Sequence, residues 1–156
     1  MKTIMSYPEL TITETLCDAL WQITLWPGVT RADLPSAPGV ITDGVVRSGP
    51  QTWVVLEASE APSVTEAEGT VTDLRHSRKR FRIEGVLTAD VMMRLAPLDF
   101  RDRAFADGAF KATSAHHISV WIARDGEAFD VWVGYTFADA LREVLEETAA
   151  QWEAAD

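Results

Sequence analysis

The stretch His116-His117-Ile118-Ser119-Val120-Trp121-Ile122-Ala123-Arg124-Asp125-Gly126-Glu127-Ala128-Phe129-Asp130-Val131-Trp132-Val133-Gly134-Tyr135-Thr136 decides the fold class. Apolar and polar residues alternate on both sides of Asp125-Gly126, a tight-turn dipeptide. The pattern predicts two strands, His116–Arg124 and Glu127–Thr136, closed into a hairpin. With Asp125-Gly126 as the whole turn, Ile122 faces Phe129, Val120 faces Val131 and Ile118 faces Val133 on one side. The other side carries Trp121 opposite Asp130, Ser119 opposite Trp132 and His117 opposite Gly134.

Downstream, Thr136 is placed to cap a final helix running to about Ala154. Its apolar stripe is Phe137, Leu141, Val144, Leu145, Thr148 and Trp152. Asp139, Glu143, Glu146, Glu147 and Glu153 fill the opposite face. Upstream, Thr88 is expected to cap a short helix, Ala89–Leu95, that Pro97 ends. Residues 98–113 read mostly as loop. Arg80–Leu87 alternates, with Phe81 and Ile83 on one face and Arg80, Arg82 and Glu84 on the other. Gly85 at its end reads as a bulge. Further strands are expected at Val40–Thr42, Val45–Val46, Thr52–Leu56 and Thr70–Leu74, and residues 57–69 form an acidic loop.

At the start of the chain, Thr11-Ile12-Thr13-Glu14 fits a capping box. Ile12, Leu16, Ala19, Leu20, Ile23 and Trp26 follow at helical spacing, and Pro27-Gly28 stops the run. Cys17 would pack on this helix. The resulting order predicts one α+β domain, 1–156. It has a mainly antiparallel sheet of five to six strands, an N-terminal helix, a short middle helix and a C-terminal helix.

Fourteen Lys and Arg against 24 Asp and Glu give a net charge of −10 in 156 residues. Such a field opposes nucleic acid and anionic membranes and favours a partner with a basic surface. Cys17 is the one cysteine. No apolar run reaches spanning length, and the first eight residues lack a signal-peptide core. Together these predict a cytoplasmic protein.

No catalytic or cofactor motif appears. One cysteine and three histidines do not supply zinc-ligand spacing. His116 and His117, if adjacent in a strand, point to opposite faces. Glycine-rich phosphate loops and a nucleophile elbow are missing. No metal, no cofactor and no enzymatic activity are therefore expected.

Three surfaces stand out as candidates. The Trp121, Trp132, His117 and Asp130 face of the hairpin is a candidate contact site, because tryptophan dominates binding hot spots. The acidic helix face of Asp139, Glu143, Glu146 and Glu147 could steer toward a basic surface. The basic run Arg75, Arg78, Lys79, Arg80 and Arg82 is either an anion or docking patch or a hairpin tip paired with Glu57, Glu60, Glu66 and Glu68.

These features predict a small acidic protein-binding module of the inhibitor, immunity or anti-defence type, which occupies the surface of a nucleic-acid-handling protein. The element order also resembles that of class I type III secretion chaperones, which implies a homodimer holding a partner segment; a virion structural component is equally compatible. A small enzyme using His116 or His117 as acid/base is the remaining alternative.

Overall fold

The computed structural model describes residues 1–7 and 9–153. The chain divides into two compact units. One is Met1–Leu16 together with the chain from Arg78 onward, and the other is Cys17–Ser77, inserted between them in sequence.

The first unit is a six-stranded antiparallel sheet with a helical layer. Its strands are β1 (Lys2–Tyr7) and β2 (Leu10–Leu16), then β7 (Arg78–Glu84), β8 (Phe110–Ala115), β9 (Ile118–Asp125) and β10 (Ala128–Gly134). They lie in the order β1-β2-β7-β10-β9-β8. The short helix α1 (Thr88–Leu95) and the final helix α2 (Ala138–Glu153) supply the second layer. Val91, Met92 and Leu95 of α1 and Leu141, Leu145 and Ala149 of α2 share one core with Ile12, Phe81, Ile83, Val120, Ile122, Phe129, Val131 and Val133. The apolar face expected of the 116–136 hairpin is the face that meets this core.

Several expectations are corrected here. The N-terminal helix does not exist: residues 10–16 and 21–25 are strands. Leu10-Thr11-Ile12-Thr13-Glu14-Thr15-Leu16 alternates and is rich in β-branched residues, which lose rotamer freedom in a helix and pack well on a pleated surface. The helical spacing arose from apolar residues of two separate strands read across the bend between them. With ten strands in two sheets and only two α-helices among the described residues, the chain is mostly β and not the α+β arrangement expected.

The β9–β10 turn is also displaced. Asp125 pairs with Ala128, so Gly126-Glu127 forms the turn. Gly126 takes φ +60° at the first turn position, where glycine is preferred in a type II′ hairpin. Ile122 consequently faces Val131, and Trp121 lies directly opposite Trp132. The displacement is two positions, so each side chain keeps its face.

Thr88 does not cap α1 from outside. It is the first helical residue, and its Oγ1 donates to the Gly85 carbonyl at 2.7 Å. Gly85 is irreplaceable by a larger residue: its φ is +124°, and a Cβ would fall 2.2 Å from the Glu9 carbonyl oxygen. At the far end, Tyr135–Phe137 form a 3-10 turn before α2, and this turns Phe137 outward. Trp152, Glu153 and Ala154 were expected at the close of the final helix; those two side chains and Ala154 lie outside the described residues.

The second unit is a four-stranded antiparallel sheet with the order β4-β5-β3-β6, built from β3 (Trp21–Leu25), β4 (Val45–Gly49), β5 (Thr52–Val55) and β6 (Gly69–Asp73). Trp21, Ile23, Leu25, Trp53 and Val55 form its core. With no helix to cover them, its tryptophans tie down the loops. Trp21 Nε1 donates to the Ala58 carbonyl, Trp53 Nε1 to that of Pro35 and Trp26 Nε1 to that of Glu66, each at 2.8 Å. An indole N–H inside a core, as at Trp21 and Trp53, needs such a partner, and here the partners are loop carbonyls; Trp26 makes the same kind of bond from the surface.

Residues 98–109 are irregular, as expected, but Phe110 onward is strand β8. One buried cation organises the irregular segment. Arg124, 6% exposed, donates from Nη1 to the Phe105 and Phe100 carbonyls and from Nε to the Gly126 carbonyl. It also pairs with Asp102. Phe100 and Phe105 stack at 5.4 Å, and both meet Phe129 edge-on. Arg124→Ala strands two buried carbonyls, those of Phe100 and Phe105. It is expected to cost about 3 kcal/mol in urea denaturation, with hydrogen-exchange protection falling first in residues 100–109. Loss below about 1 kcal/mol would show that the aromatic stack holds the segment alone.

Candidate functional site

The basic run of residues 75–82 is dismantled by the fold. Arg75 belongs to the second unit, where it pairs with Asp73 at 2.8 Å and lies 4.5 Å from the Trp21 ring centre. From Arg78 the chain is strand β7, and the period of two sorts the rest. Lys79 points with Phe81 to the helical side. Arg78, Arg80 and Arg82 line the opposite face of the sheet, against Gly134, Trp132 and Asp130 of β10.

This register merges two of the expected surfaces into one. Arg78 sits 3.9 Å from the centre of the Trp121 ring, a cation–π contact. Arg80 Nε donates to Thr15 Oγ1 at 3.0 Å. Arg82 bonds Asp130 Oδ2 and Asp125 Oδ2, both at 3.0 Å, and approaches Glu84 at 3.7 Å. The hairpin-tip pairing expected with Glu57, Glu60, Glu66 and Glu68 is replaced by these partners, and Glu68 instead accepts from the Thr65 hydroxyl at 3.0 Å.

Trp132 is only 4% exposed and lies beside Phe110, with ring centres 6.1 Å apart. Trp121 is half-buried, 5.8 Å from the same ring. The aromatic pair therefore works mainly inside the protein. Asp130 is buried too, and burial raises its pKa against the opposing pull of Arg82 and Arg80. Its Oδ1 has no hydrogen-bond partner among the described residues.

His116 and His117 are not strand residues. With φ of 47° and 69° they form the two-residue turn joining β8 to β9, and both are exposed at its tip. His117 therefore does not sit opposite Gly134, and the opposite-faces argument against shared metal binding no longer applies. Among the described residues no group of three or more His, Cys, Asp or Glu converges to hold a metal ion. Nor is any helix long and apolar enough to cross a membrane.

On α2, Asp139, Glu143 and Glu147 are exposed and Glu146 is half-buried. Arg142 interrupts them: its Nη1 approaches Asp139 at 3.3 Å, and its Nη2 donates to Glu14 Oε2 at 2.7 Å. Lys79 Nζ donates to the other oxygen of Glu14 at 3.0 Å. A buried carboxylate thus holds two cations, one from β7 and one from α2. Burial pushes the Glu14 pKa up, but the hydrogen bonds from Lys79 and Arg142 outweigh it and hold the group below its ordinary value. The cluster borders a cleft of about 280 Å³ lined also by Met1, Lys2, Thr15 and Leu16. Lys79 lies 5.0 Å from the ring centre of the exposed Tyr135.

Glu14, Arg142, Leu16 and Tyr135 were missed as site residues. The signal was present in the alternation of Leu10–Leu16. Read as a strand, it puts Glu14 on the inward face with Ile12, where a carboxylate requires a cation.

No protein-family model matches the sequence, and no curated protein matches it. Twenty chains of solved structures match in fold. One is a chain of the heterotetrameric sarcosine oxidase from Corynebacterium sp. U-96 in complex with pyrrole 2-carboxylate. The TM-score is 0.80 at 21% sequence identity, covering 99% of this chain and 90% of that one. The likeness establishes the fold. It also overturns the inhibitor, immunity or anti-defence reading, which stood on charge and size: 99% of the chain shares the fold of that solved chain. The chaperone-like element order disappears with the N-terminal helix, and with it the argument for a homodimer. The argument for a basic partner surface weakens where Arg142 breaks the acidic helix face.

The Glu14 cluster has a pH signature. A carboxylate with a depressed folded pKa stabilises fully above its unfolded value and loses that contribution as pH falls through the folded one. The advantage of the native protein over Glu14→Gln should be about 2 kcal/mol near neutrality. It should hold down to the ordinary value of 4.5 and shrink below it. Urea midpoints of both proteins across that range read the effect; a constant difference would mean that the ionised form contributes nothing.

Proposed function

We propose that this protein is a non-catalytic subunit of a heteromeric enzyme assembly of the oxidase kind. The observation that carries this reading is the fold likeness over 99% of the chain to a constituent of a heterotetrameric oxidase. In support, the side chains open to solvent in the first unit include Met1, Leu16, Tyr135 and Phe137, large apolar groups of the type that partner chains cover. Also in support, the two histidines named as acid/base candidates stand exposed at a hairpin tip, whereas proton-transfer chemistry works in a recess.

The test is purification of the tagged full chain from its native cells at near-physiological salt. Larger subunits should accompany it at fixed stoichiometry through gel filtration. Oxygen-consuming turnover, assayed with sarcosine and other secondary amines, should reside in that assembly and be missing from the isolated chain. A chain that migrates alone from native extract, or that turns over substrate by itself, would overturn the reading.

A further inference from the structure

Resting on that subunit reading, we propose that the cleft between β2, β7 and the start of α2 seats an extended segment of a partner polypeptide carrying a carboxylate flanked by apolar side chains. Three observations converge on this occupant.

The first is charge. The cleft is lined by Lys2, Lys79 and Arg142, with Glu14 as the one acidic residue lining it. Glu14 is buried and already engaged, one oxygen to each of two cations. The Lys79 ammonium has three N–H groups and spends one on Glu14. Arg142 has a buried Nε with no partner among the described residues. Outside the lining, Asp139 approaches Arg142 at 3.3 Å and Glu146 acts on it through charge. Among the residues that line the cleft itself, cations exceed carboxylates, in a chain whose net charge is −10. A local reversal of sign selects an anionic visitor.

The second is the rim. Leu16 is 74% exposed and Tyr135 57%, and Met1 is open as well. Leu16 and Met1 line the cleft, and Tyr135 borders it through Lys79. A free inorganic anion has no use for an apolar rim. A polypeptide segment with aliphatic or aromatic side chains beside its carboxylate matches both features.

The third is preorganisation. Lys79 and Arg142 come from different elements and are fixed by the same carboxylate before any ligand arrives. Their side-chain ordering is already complete, which lowers the entropic cost of binding. The cleft volume of about 280 Å³ suits the side chains of a short segment and not a folded domain.

The experiment compares three tagged full-length chains in the native-cell purification: the natural protein, the rim variant Lys2→Glu/Leu16→Asp/Tyr135→Asp, and the control Val86→Asp. All four positions are exposed, so each variant should retain the native circular dichroism and urea midpoint. The rim variant should lose the co-purifying subunit at least tenfold, while Val86→Asp retains it. In parallel, the ¹⁵N-labelled natural chain is titrated with the peptide acetyl-Leu-Glu-Leu-Phe-amide, its Glu→Gln counterpart, and inorganic phosphate. Shifts at Leu16, Lys79, Tyr135 and Arg142 should saturate with the Glu peptide at least fivefold more tightly than with the other two. If the rim variant keeps its partner, the docking cleft is wrong while the subunit reading stands. If phosphate or the Gln peptide binds as well as the Glu peptide, the carboxylate-bearing segment is wrong. If the natural chain has no partner at all, the subunit reading fails and this inference falls with it.

Discussion

The pairing of β7 with β10, from Gly134 against Arg78 to Phe129 against Ile83, is the constraint on which the first unit depends. It joins the first two strands, through β2, to the hairpins that follow α1, and so closes one sheet from segments far apart in sequence. The same register decides chemistry. Because side chains alternate, one strand sends Phe81 and Ile83 into the core and Arg78, Arg80 and Arg82 to the other face. Lys79 stays on the helical side and meets Glu14. A slip of one residue would bury three guanidinium groups and expose the aromatic core, so the hydrophobic term fixes the register and the charges follow.

Charge is handled throughout by local pairing and not by the overall field. Asp73 is drawn down to about 2 by the bonds from Arg75, and Asp99 is lowered likewise by Arg101. Arg31 clasps Asp33 at 2.6 Å. These exposed pairs set loop geometry more than stability. The consequential ones are at least partly buried: Arg124 under the 98–109 segment, Arg82 with Asp130, and Glu14 with its two cations. Ten excess negative charges say little about what a given surface prefers, since the Glu14 cleft carries the opposite sign.

The hairpin 116–134 was legible because β-propensity, alternation and a glycine turn all agree there. Its inward set of Ile118, Val120, Ile122, Phe129, Val131 and Val133 survived even a displaced turn. The displacement shows where legibility stops: Asp-Gly and Gly-Glu are both good two-residue turns, and the choice rests on φ at Gly126 and on the bond from its N–H to Asp107 at 2.8 Å. The N-terminal segment misled because Ile12, Leu16, Leu20 and Ile23 satisfy a helical spacing by accident across two strands. The three threonines around Ile12 and Glu14 argued the other way and carried more physical weight. The candidate site was legible only in part, since His116 and His117 became the turn residues when β9 began at Ile118 instead of His116. Glu14, Lys79 and Arg142 meet across residue separations of 65 and 128, which no local pattern reports.

The Glu14 cluster is hard to account for as a device for stability alone. Burying a carboxylate costs several kcal/mol, and the bonds from Lys79 and Arg142 are what outweigh that cost. An apolar residue at position 14 would continue the surface of Ile12 and spare the penalty. What an apolar residue would not do is hold an ammonium and a guanidinium side by side at the mouth of an open cleft. The arrangement fixes two cations in place beside an open cleft, which suits a surface shaped for recognition. The Arg78–Trp121 face, by contrast, is largely engaged within the protein: Trp132 is buried, half-buried Trp121 is met by Arg78, and Asp130 faces Arg82. Of the two charged regions, the one built on Glu14 is the one left open to meet something else.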